Sequence, residues 1–108
     1  MNKVDLSIVI PIYNEQESLL ELYKQIQETL KDEFLYEIIF VNDGSTDDSD
    51  IILKEMIKND NSIRVIKFFN NKGKSEALNL GFKNSKGSIV ITIDGDLQDD
   101  PKEFINLI

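Results

Sequence analysis

The sequence contains no cysteine, no histidine and no tryptophan among its 108 residues. The absence of cysteine excludes disulfide bonds, thiolate zinc sites and cysteine nucleophiles. The absence of histidine removes imidazole metal ligands and the Ser-His and Cys-His pairs of nucleophilic catalysis. A metal bound by this chain would therefore be a hard cation on oxygen ligands, and its acid–base groups would be Asp, Glu, Lys or Tyr.

Basic residues are scarce as well, because 12 Lys and Arg stand against 20 Asp and Glu, for a net charge of −8. A protein that binds nucleic acid along its phosphates needs a basic surface, so we expect no nucleic-acid partner. The N-terminus lacks the apolar stretch of a signal peptide, and no apolar run approaches the ~18 residues of a membrane span. The composition predicts one cytoplasmic globular domain over residues 1–108.

Four short apolar runs alternate with helical patterns along the chain. Each run precedes a polar loop, and the runs cover residues 6–10, 36–41, 63–69 and 88–93. Strands that are apolar on both faces and alternate with helices form parallel sheets covered by helices. We therefore predict an α/β fold, a Rossmann-like sheet of four parallel strands in the order 3-2-1-4 with helices on both faces.

The predicted strand order also predicts where a ligand would bind. In such sheets the ligand lies beyond the carboxyl ends of the strands, where the strand order reverses, and here that point falls between strands 1 and 4. The loops at this point are residues 11–15 and 94–100, and Asp43 ends the neighbouring strand 2.

The first of two acidic loops contains Asp43, Asp47, Asp48 and Asp50. The last three fall in the predicted first turn of a helix capped by Ser45 or Thr46, where carboxylates are stabilised by the helix dipole. Asp43 directly ends a strand and precedes Gly44, which leaves two interpretations open: a turn-forming Asn-Asp-Gly sequence, or a side chain that binds a ligand.

The second acidic loop follows the fourth apolar run and contains Asp94, Gly95, Asp96 and Gln98. Two carboxylates that flank a glycine converge and repel each other unless a cation lies between them. Two carboxylates and an amide oxygen suit Mg²⁺ or Mn²⁺, with phosphate oxygens and water completing the shell. A solvated acidic loop is the alternative, because short motifs of this kind also occur by chance.

Two other phosphate motifs are partly matched. Gly73-Lys74-Ser75 is typical of the end of a Walker A loop, but the first glycine of that motif would fall on Phe68. What is left is a basic helix N-terminus, with Lys72 and Lys74, that faces an anion. An Asp-nucleophile phosphohydrolase, with Asp94 as nucleophile and Asp96 as general acid, is the alternative enzymatic interpretation.

Four ordered segments, taken together, resemble the nucleotide-sugar half of an inverting family 2 glycosyltransferase with the GT-A fold. The last segment is most similar to the branch that loads sugars onto polyprenyl or dolichyl phosphates. The segments are Ser7-Ile8-Val9-Ile10-Pro11-Ile12-Tyr13-Asn14-Glu15, Val41-Asn42-Asp43-Gly44-Ser45-Thr46-Asp47, Asn71-Lys72-Gly73-Lys74 with Ala77-Leu78-Asn79, and Asp94-Gly95-Asp96-Leu97-Gln98-Asp99-Asp100-Pro101.

The resemblance implies a role for each matched residue. A UDP- or GDP-linked sugar would have its base and ribose in a pocket lined by Pro11, Ile12, Tyr13, Asn14 and Glu15. Val41 and Asp43 would hold the base, the Asp43 carboxylate accepting from a ring N–H. Asp94 and Gly95 would meet the ribose and diphosphate, and Asp96 and Gln98 would hold Mg²⁺ or Mn²⁺ with help from Asp94.

The resemblance also implies what this chain does not supply. The fold of the family continues for roughly as long again, with the acceptor pocket and further catalytic groups, so we expect a donor-binding half that ends before the acceptor half. The catalytic base is therefore unknown and not expected among these residues. The acceptor would be a lipid phosphate, and the parent protein would lie at the cytoplasmic face of the membrane.

A third hypothesis is a non-catalytic, self-associating fragment. If the chain ends before further strands, strand 4 becomes an edge with Ile89, Val90, Ile91 and Ile93 exposed beside it. Long apolar edges tend to pair with another chain. We therefore expect a homo-oligomer formed along strand 4 or the last helix, with a self-complementary interface if it is two-fold.

Overall fold

The computed structural model describes residues 4–30 and 34–95. Strands and helices alternate throughout this part of the chain, as predicted. The elements are β1 Leu6–Ile12, α1 Leu19–Leu30, β2 Tyr36–Asp43, α2 Ser49–Asn59, β3 Ile63–Phe68, α3 Lys74–Lys83 and β4 Ile89–Thr92. The predicted last helix, which begins at Pro101, lies outside the described residues.

The four strands form one parallel sheet in the order β3-β2-β1-β4, which confirms the predicted order. β1 occupies the centre: Leu6 lies opposite Tyr36 of β2 on one side and Ile89 of β4 on the other. The order reverses between β1 and β4, so the carboxyl ends of these strands flank the crevice where such sheets bind ligands.

Helices cover both faces of the sheet, again as predicted. Side chains alternate between the faces along each strand. On one face, α1 and α2 pack on a large apolar cluster that includes Ile8, Ile10 and Phe40. On the other face, α3 packs Ala77 against Val9 and its neighbours in a smaller cluster. Since both faces are buried, the central strands are continuous apolar runs rather than alternating ones.

β1 continues beyond Pro11, where the sequence predicted its end. The backbone carbonyl of Val9 points toward β4 and accepts a hydrogen bond from the backbone N–H of Ile93 (3.2 Å). Pro11 has the same parity as Val9, so its missing N–H faces the β4 side, where β4 has already ended at Thr92. The proline therefore removes no ladder hydrogen bond to β2.

Two further expectations were wrong. α2 begins at Ser49, so its N-cap residue is Asp48 rather than Ser45 or Thr46, because those two residues instead contact the loop after β1. The expected exposure of Ile91 and Ile93 is not found: Ile93 is only 1% exposed and Ile91 is partly buried, because both pack on the cluster under α1 and α2. Ile89 and Val90 are exposed, as expected. Within the described ranges, no helix combines the length and apolar character needed to cross a membrane.

Candidate functional site

The loop after β1 is joined to the loop after β2 through the side chain of Asn14. Asn14 has a left-handed backbone (φ 53°), a conformation that asparagine tolerates better than most residues. Its Oδ1 accepts hydrogen bonds from the backbone N–H groups of Thr46 (2.8 Å) and Asp47 (3.2 Å). Its own backbone N–H donates to Ser45 Oγ at 3.0 Å. Asn14 therefore holds two loops together at the carboxyl edge of the sheet.

The next residues continue this connection to α2. The backbone N–H of Glu15 donates to Ser49 Oγ (3.0 Å), and that of Gln16 donates to Asp47 Oδ2 (3.3 Å). In return, the backbone N–H of Asp48 donates to Gln16 Oε1 (2.8 Å). Asp47 and Asp48 thus have a structural role at the junction between the loops and α2. They precede the helix, however, and of the three carboxylates expected in its first turn only Asp50 lies there.

Asp43 is buried and fixes the loop between β3 and α3. Its carboxylate accepts from the backbone N–H groups of Lys72 (2.7 Å) and Gly73 (3.0 Å), and from Nδ2 of Asn71 (3.3 Å). The turn after β2 is held by a different side chain, because Asn42 Oδ1 accepts from the backbone N–H of Ser45. Asp43 is therefore more than a turn-forming residue.

Gly44 lets the end of β2 approach the backbone of the β3–α3 loop closely. Its φ of 73° lies in the left-handed region, and a Cβ built on it would lie 2.5 Å from both the Asn70 carbonyl carbon and the Asn71 nitrogen. Only glycine accommodates both the backbone conformation and this contact with the β3–α3 loop.

An ion pair crosses the cleft between α3 and β4. Nζ of Lys74, the first residue of α3, lies 2.6 Å from Oδ1 of Asp94, which follows β4. Both side chains remain accessible, with exposed fractions of 61% and 36%. The predicted basic start of α3 is therefore present, and Lys74 faces an anion, although Lys72 instead places its Nζ 5.1 Å from the centre of the Phe68 ring.

An open cleft of ≈ 400 Å³ lies at this edge of the sheet. Of the ten candidate nucleotide-binding residues that lie in the described ranges, eight line it. Its walls are Pro11, Ile12, Tyr13, Glu15, Asp43, Asn71, Gly73, Lys74, Asp94 and Gly95. The cleft lies beyond the carboxyl ends of β1, β2 and β4, where the sheet topology places a ligand site.

Asn14 and Val41 do not line this cleft. Asn14 directs its side-chain oxygen to the β2–α2 loop, and Val41 is buried in the cluster beneath α3. Sequence reasoning had assigned no role to Asn71 and Gly73, which do line the cleft. Both residues lie in the Asn71-Lys72-Gly73-Lys74 segment, which is one of the four segments that carry the resemblance. Nothing in the sequence, however, indicates that Asp43 would hold that segment at the cleft.

The predicted metal ligands are only partly described. Asp94 lies at the cleft, whereas Asp96 and Gln98 lie outside the described residues. Across residues 4–30 and 34–95, no three acidic side chains come together as a metal-binding group. Asp94 nevertheless fits a cation site, because its carboxylate faces the cleft and already contacts a cation, the Lys74 ammonium.

The model of the family Glycosyl transferase family 2 matches residues 7–108 of this chain. The undecaprenyl-phosphate 4-deoxy-4-formamido-L-arabinose transferase of Pseudomonas fluorescens is 44% identical over 105 residues. That alignment covers 95% of this chain and 31% of the relative. The chain thus spans about a third of the length of the curated relatives it matches.

Solved structures share the fold at lower sequence identity. Residues 1–349 of TarS from S. aureus, in complex with UDP, superpose with a TM-score of 0.80 at 21% identity, over 95% of this chain and 30% of that one. The mannosyltransferase PcManGT from Pyrobaculum calidifontis, in complex with GDP-Man and Mn²⁺, gives a TM-score of 0.78 at 22% identity, over 89% and 28% of the two chains. The resemblance seen in the sequence is confirmed: this chain belongs to glycosyl transferase family 2 and has the GT-A fold.

Proposed function

We propose that this chain is the donor-binding part of a family 2 glycosyltransferase and binds a UDP- or GDP-linked sugar together with Mg²⁺ or Mn²⁺. The observation that carries the proposal is the cleft at the carboxyl edge of the sheet, where Lys74 and Asp94 face each other beside Asp43. The UDP complex of TarS and the GDP-Man and Mn²⁺ complex of PcManGT, which share the fold, support the same ligand class.

The charge of the cleft is the reason that a metal belongs to the proposal. Among the described residues, Glu15, Asp43 and Asp94 line the cleft, against a single lysine, Lys74. A diphosphate in this acidic surrounding needs a divalent cation to offset the repulsion. Asp94, Asp96 and Gln98 would hold the cation. When bound, it would stabilise the negative charge that develops on the leaving nucleoside diphosphate.

The base and ribose would lie against Pro11, Ile12 and Tyr13. The carboxylate of Asp43 has about four acceptor positions, and the hydrogen bonds from Asn71, Lys72 and Gly73 use three of them. One position is left for a ring N–H of the base. In this proposal Asp43 shapes the wall of the pocket and reads the base with the same carboxylate.

Transfer of the sugar is proposed for the protein that carries this domain. The Pseudomonas relative is named as an undecaprenyl-phosphate transferase, which supports a polyprenyl phosphate as the acceptor. Such a lipid acceptor would place the protein at the cytoplasmic face of a membrane. We expect donor binding without turnover from these 108 residues, because we assign no general base among them.

Titration calorimetry with UDP, GDP and CDP, each with Mn²⁺ and with EDTA, tests the donor proposal. We expect one of UDP and GDP to bind, and to bind more tightly with Mn²⁺. Failure of all three nucleotides to bind would refute the proposal and favour the non-catalytic fragment.

The variant Asp96→Ala tests the metal ligands. We expect it to lose the Mn²⁺ dependence while keeping the weaker binding seen in EDTA. The matched control is Asp48→Ala at the start of α2, which should keep the full Mn²⁺ effect. Undiminished Mn²⁺ dependence in Asp96→Ala would remove Asp96 from the site.

The phosphohydrolase alternative makes a different prediction for the same loop. It requires purified protein to release phosphate from p-nitrophenyl phosphate, and it requires Asp94→Asn to abolish that release. We expect no phosphate release from either protein, because we assign Asp94 to ligand binding and not to nucleophilic attack.

We also propose that the chain self-associates along β4. Within the described residues β4 is an edge strand, and Ile89 and Val90 are exposed on it. The test is light scattering of the wild type, Val90→Lys and the control Ile57→Lys, whose side chain on α2 is equally exposed at 39%. We expect Val90→Lys alone to shift the assembly toward monomer, and a monomeric wild type at high micromolar concentration would contradict the idea.

A further inference from the structure

The hydroxyl of Ser18 joins α1 to the strand-4 side of the cleft. Ser18 directly precedes α1, and its Oγ donates a hydrogen bond to the backbone carbonyl of Gly95 at 2.5 Å. A second acceptor, the Glu15 carbonyl, is farther away at 3.3 Å. Of its two possible acceptors, the Gly95 carbonyl is the nearer one and the one that lies on the strand-4 side of the cleft.

Gly95 is packed from two sides at this point. It is buried, and a Cβ built on it would lie 2.5 Å from Cδ1 of Ile12 and 3.3 Å from Cγ of Glu15. Gly95 consequently packs against β1 and its loop, and its carbonyl accepts a hydrogen bond from Ser18.

The position of this carbonyl matters because of covalent geometry. The carbonyl carbon and oxygen of Gly95 share one planar peptide unit with the backbone nitrogen of Asp96. A hydrogen bond that fixes the Gly95 oxygen therefore limits the direction in which the chain leaves Gly95. Asp94 and Asp96, the residues before and after Gly95 in the sequence, are the carboxylate metal ligands of the proposed function.

We infer that Ser18 is a positioning residue for the Asp94-Gly95-Asp96 segment and, through it, for the divalent cation and diphosphate. Ser18 itself does not line the nucleotide cleft. The inference rests on the proposed function, and it predicts that loss of the Ser18 hydroxyl weakens the metal-dependent part of nucleotide binding and leaves the metal-independent part unchanged.

The test compares Ser18→Ala and Ser18→Thr with a matched control, Ser85→Ala. Ser85 Oγ donates to the Gly81 carbonyl (2.8 Å) at the end of α3, so its removal deletes the same kind of hydrogen bond away from the proposed metal ligands. Each protein is titrated with UDP and GDP, in Mn²⁺ and in EDTA. Binding of Mn²⁺ alone is followed from the electron paramagnetic resonance of the free ion.

For Ser18→Ala, we expect nucleotide affinity in Mn²⁺ to fall about fivefold to tenfold, the equivalent of one lost hydrogen bond. Affinity in EDTA should change less than about twofold, because without the cation the segment keeps only its direct contacts with the nucleotide. Ser18→Thr, which retains the hydroxyl, should restore most of the loss, and Ser85→Ala should match the wild type in both conditions.

The outcomes separate this inference from the proposal on which it rests. If the wild type binds a nucleotide with Mn²⁺ and Ser18→Ala binds it equally well, Ser18 has no positioning role although the donor proposal stands. An equal loss in Mn²⁺ and in EDTA would also overturn the inference, because it would indicate general damage to the cleft. A wild type without Mn²⁺-dependent binding would overturn both.

Discussion

The two ends of the sheet use carboxylates in opposite ways. At the amino end, Glu37 is 5% exposed, and its carboxylate accepts from Ser7 Oγ (2.6 Å), the Lys86 backbone N–H (2.7 Å) and Arg64 Nη1 (3.0 Å). Ser7 Oγ in turn accepts from the Gly87 backbone N–H at 2.8 Å. The donors come from β1, β3 and the segment before β4, so this carboxylate links three segments at the amino end of the sheet.

At the carboxyl end, the carboxylate of Asp94 faces an open cleft and has an accessible lysine, Lys74, as its ion-pair partner. A solvent-exposed ion pair contributes little to the free energy of unfolding, and its groups can exchange partners. Removal of one partner of a buried, hydrogen-bonded carboxylate, in contrast, lowers the free energy of unfolding strongly. Burial, and not residue type, therefore separates the structural Glu37 from the accessible Asp94. Asp43 combines both situations, because it is buried and hydrogen-bonded and also lines the cleft.

Removal of the Glu37 side chain should destabilise the amino end of the sheet, with the largest expected effect on the free energy of unfolding. We expect Glu37→Ala to lower the free energy of unfolding by about 3 kcal/mol, because it leaves the buried Ser7 hydroxyl and the Lys86 backbone N–H without their acceptor. It also removes the ion-pair partner of Arg64, which keeps its hydrogen bond to the Asn84 carbonyl. Urea denaturation measures the change. The control is Glu55→Ala, which removes an exposed pair with Lys58 and should cost less than about 0.5 kcal/mol. Equal effects of the two variants would contradict the comparison.

Gly95→Ala should disturb the packing at the carboxyl end of the sheet. The new Cβ would lie 2.5 Å from Cδ1 of Ile12, the end of a buried side chain that would have to shift, so we expect a loss of about 1 kcal/mol in unfolding free energy. Ile12→Val removes that Cδ1 and should itself cost about 0.5–1.5 kcal/mol.

The double variant Ile12→Val/Gly95→Ala sharpens this test. If the clash is the cause, the double variant is more stable than the sum of the two single effects predicts, by denaturation in urea. Simple additivity would show that the crowding at Ile12 does not limit Gly95.

The stability that Glu37 contributes should also depend on pH. Burial alone would raise the pKa of Glu37, but the hydrogen bonds from Ser7, Lys86 and Arg64 outweigh it and hold the pKa below the ordinary value of 4.5. A carboxyl whose pKa is lowered in the folded state stabilises the fold above its unfolded pKa. That stabilisation is lost as the pH falls from 4.5 through the lower folded-state pKa.

Urea denaturation of the wild type and Glu37→Gln between about pH 3 and about pH 6 measures this effect. Asp50 and Asp60 also have lowered pKa values, so the difference between the two proteins isolates Glu37. We expect the stability difference to shrink as the pH falls. Parallel curves throughout would show that Glu37 is not the group responsible.

Lys74→Ala should have the smallest effect on stability and a specific effect on binding. Loss of the exposed pair with Asp94 should change the unfolding free energy by less than about 1 kcal/mol. Nucleotide affinity in EDTA should fall, because the described part of the cleft then has no lysine against its three carboxylates. Lys58→Ala, which removes another exposed ion pair, is the control for calorimetry. Unchanged affinity in Lys74→Ala would show that this lysine does not contribute to binding of the diphosphate.

Much of the fold followed from local patterns. The apolar runs, the intervening helical spacing and the right-handed connection of parallel strands were enough to predict the order β3-β2-β1-β4 and the edge where the cleft lies. Seven of the eight candidate residues that line the cleft lie in the strand ends and loops that this order predicts, and the eighth, Lys74, begins α3. Strand length was harder to predict, because the tolerance of Pro11 depends on where β4 ends.

The sequence by itself determined the class of fold, the position of the cleft and the oxygen-ligand chemistry of its loops, because composition and hydrophobic periodicity act over a few residues at a time. Only the tertiary structure decided which polar side chains are buried against each other. Glu37 and Arg64 are 27 positions apart, and Ser18 and Gly95 are 77 apart. Such pairs depend on strand register and helix packing, which bring distant backbone and side-chain groups within hydrogen-bond distance and leave no periodic mark in the chain.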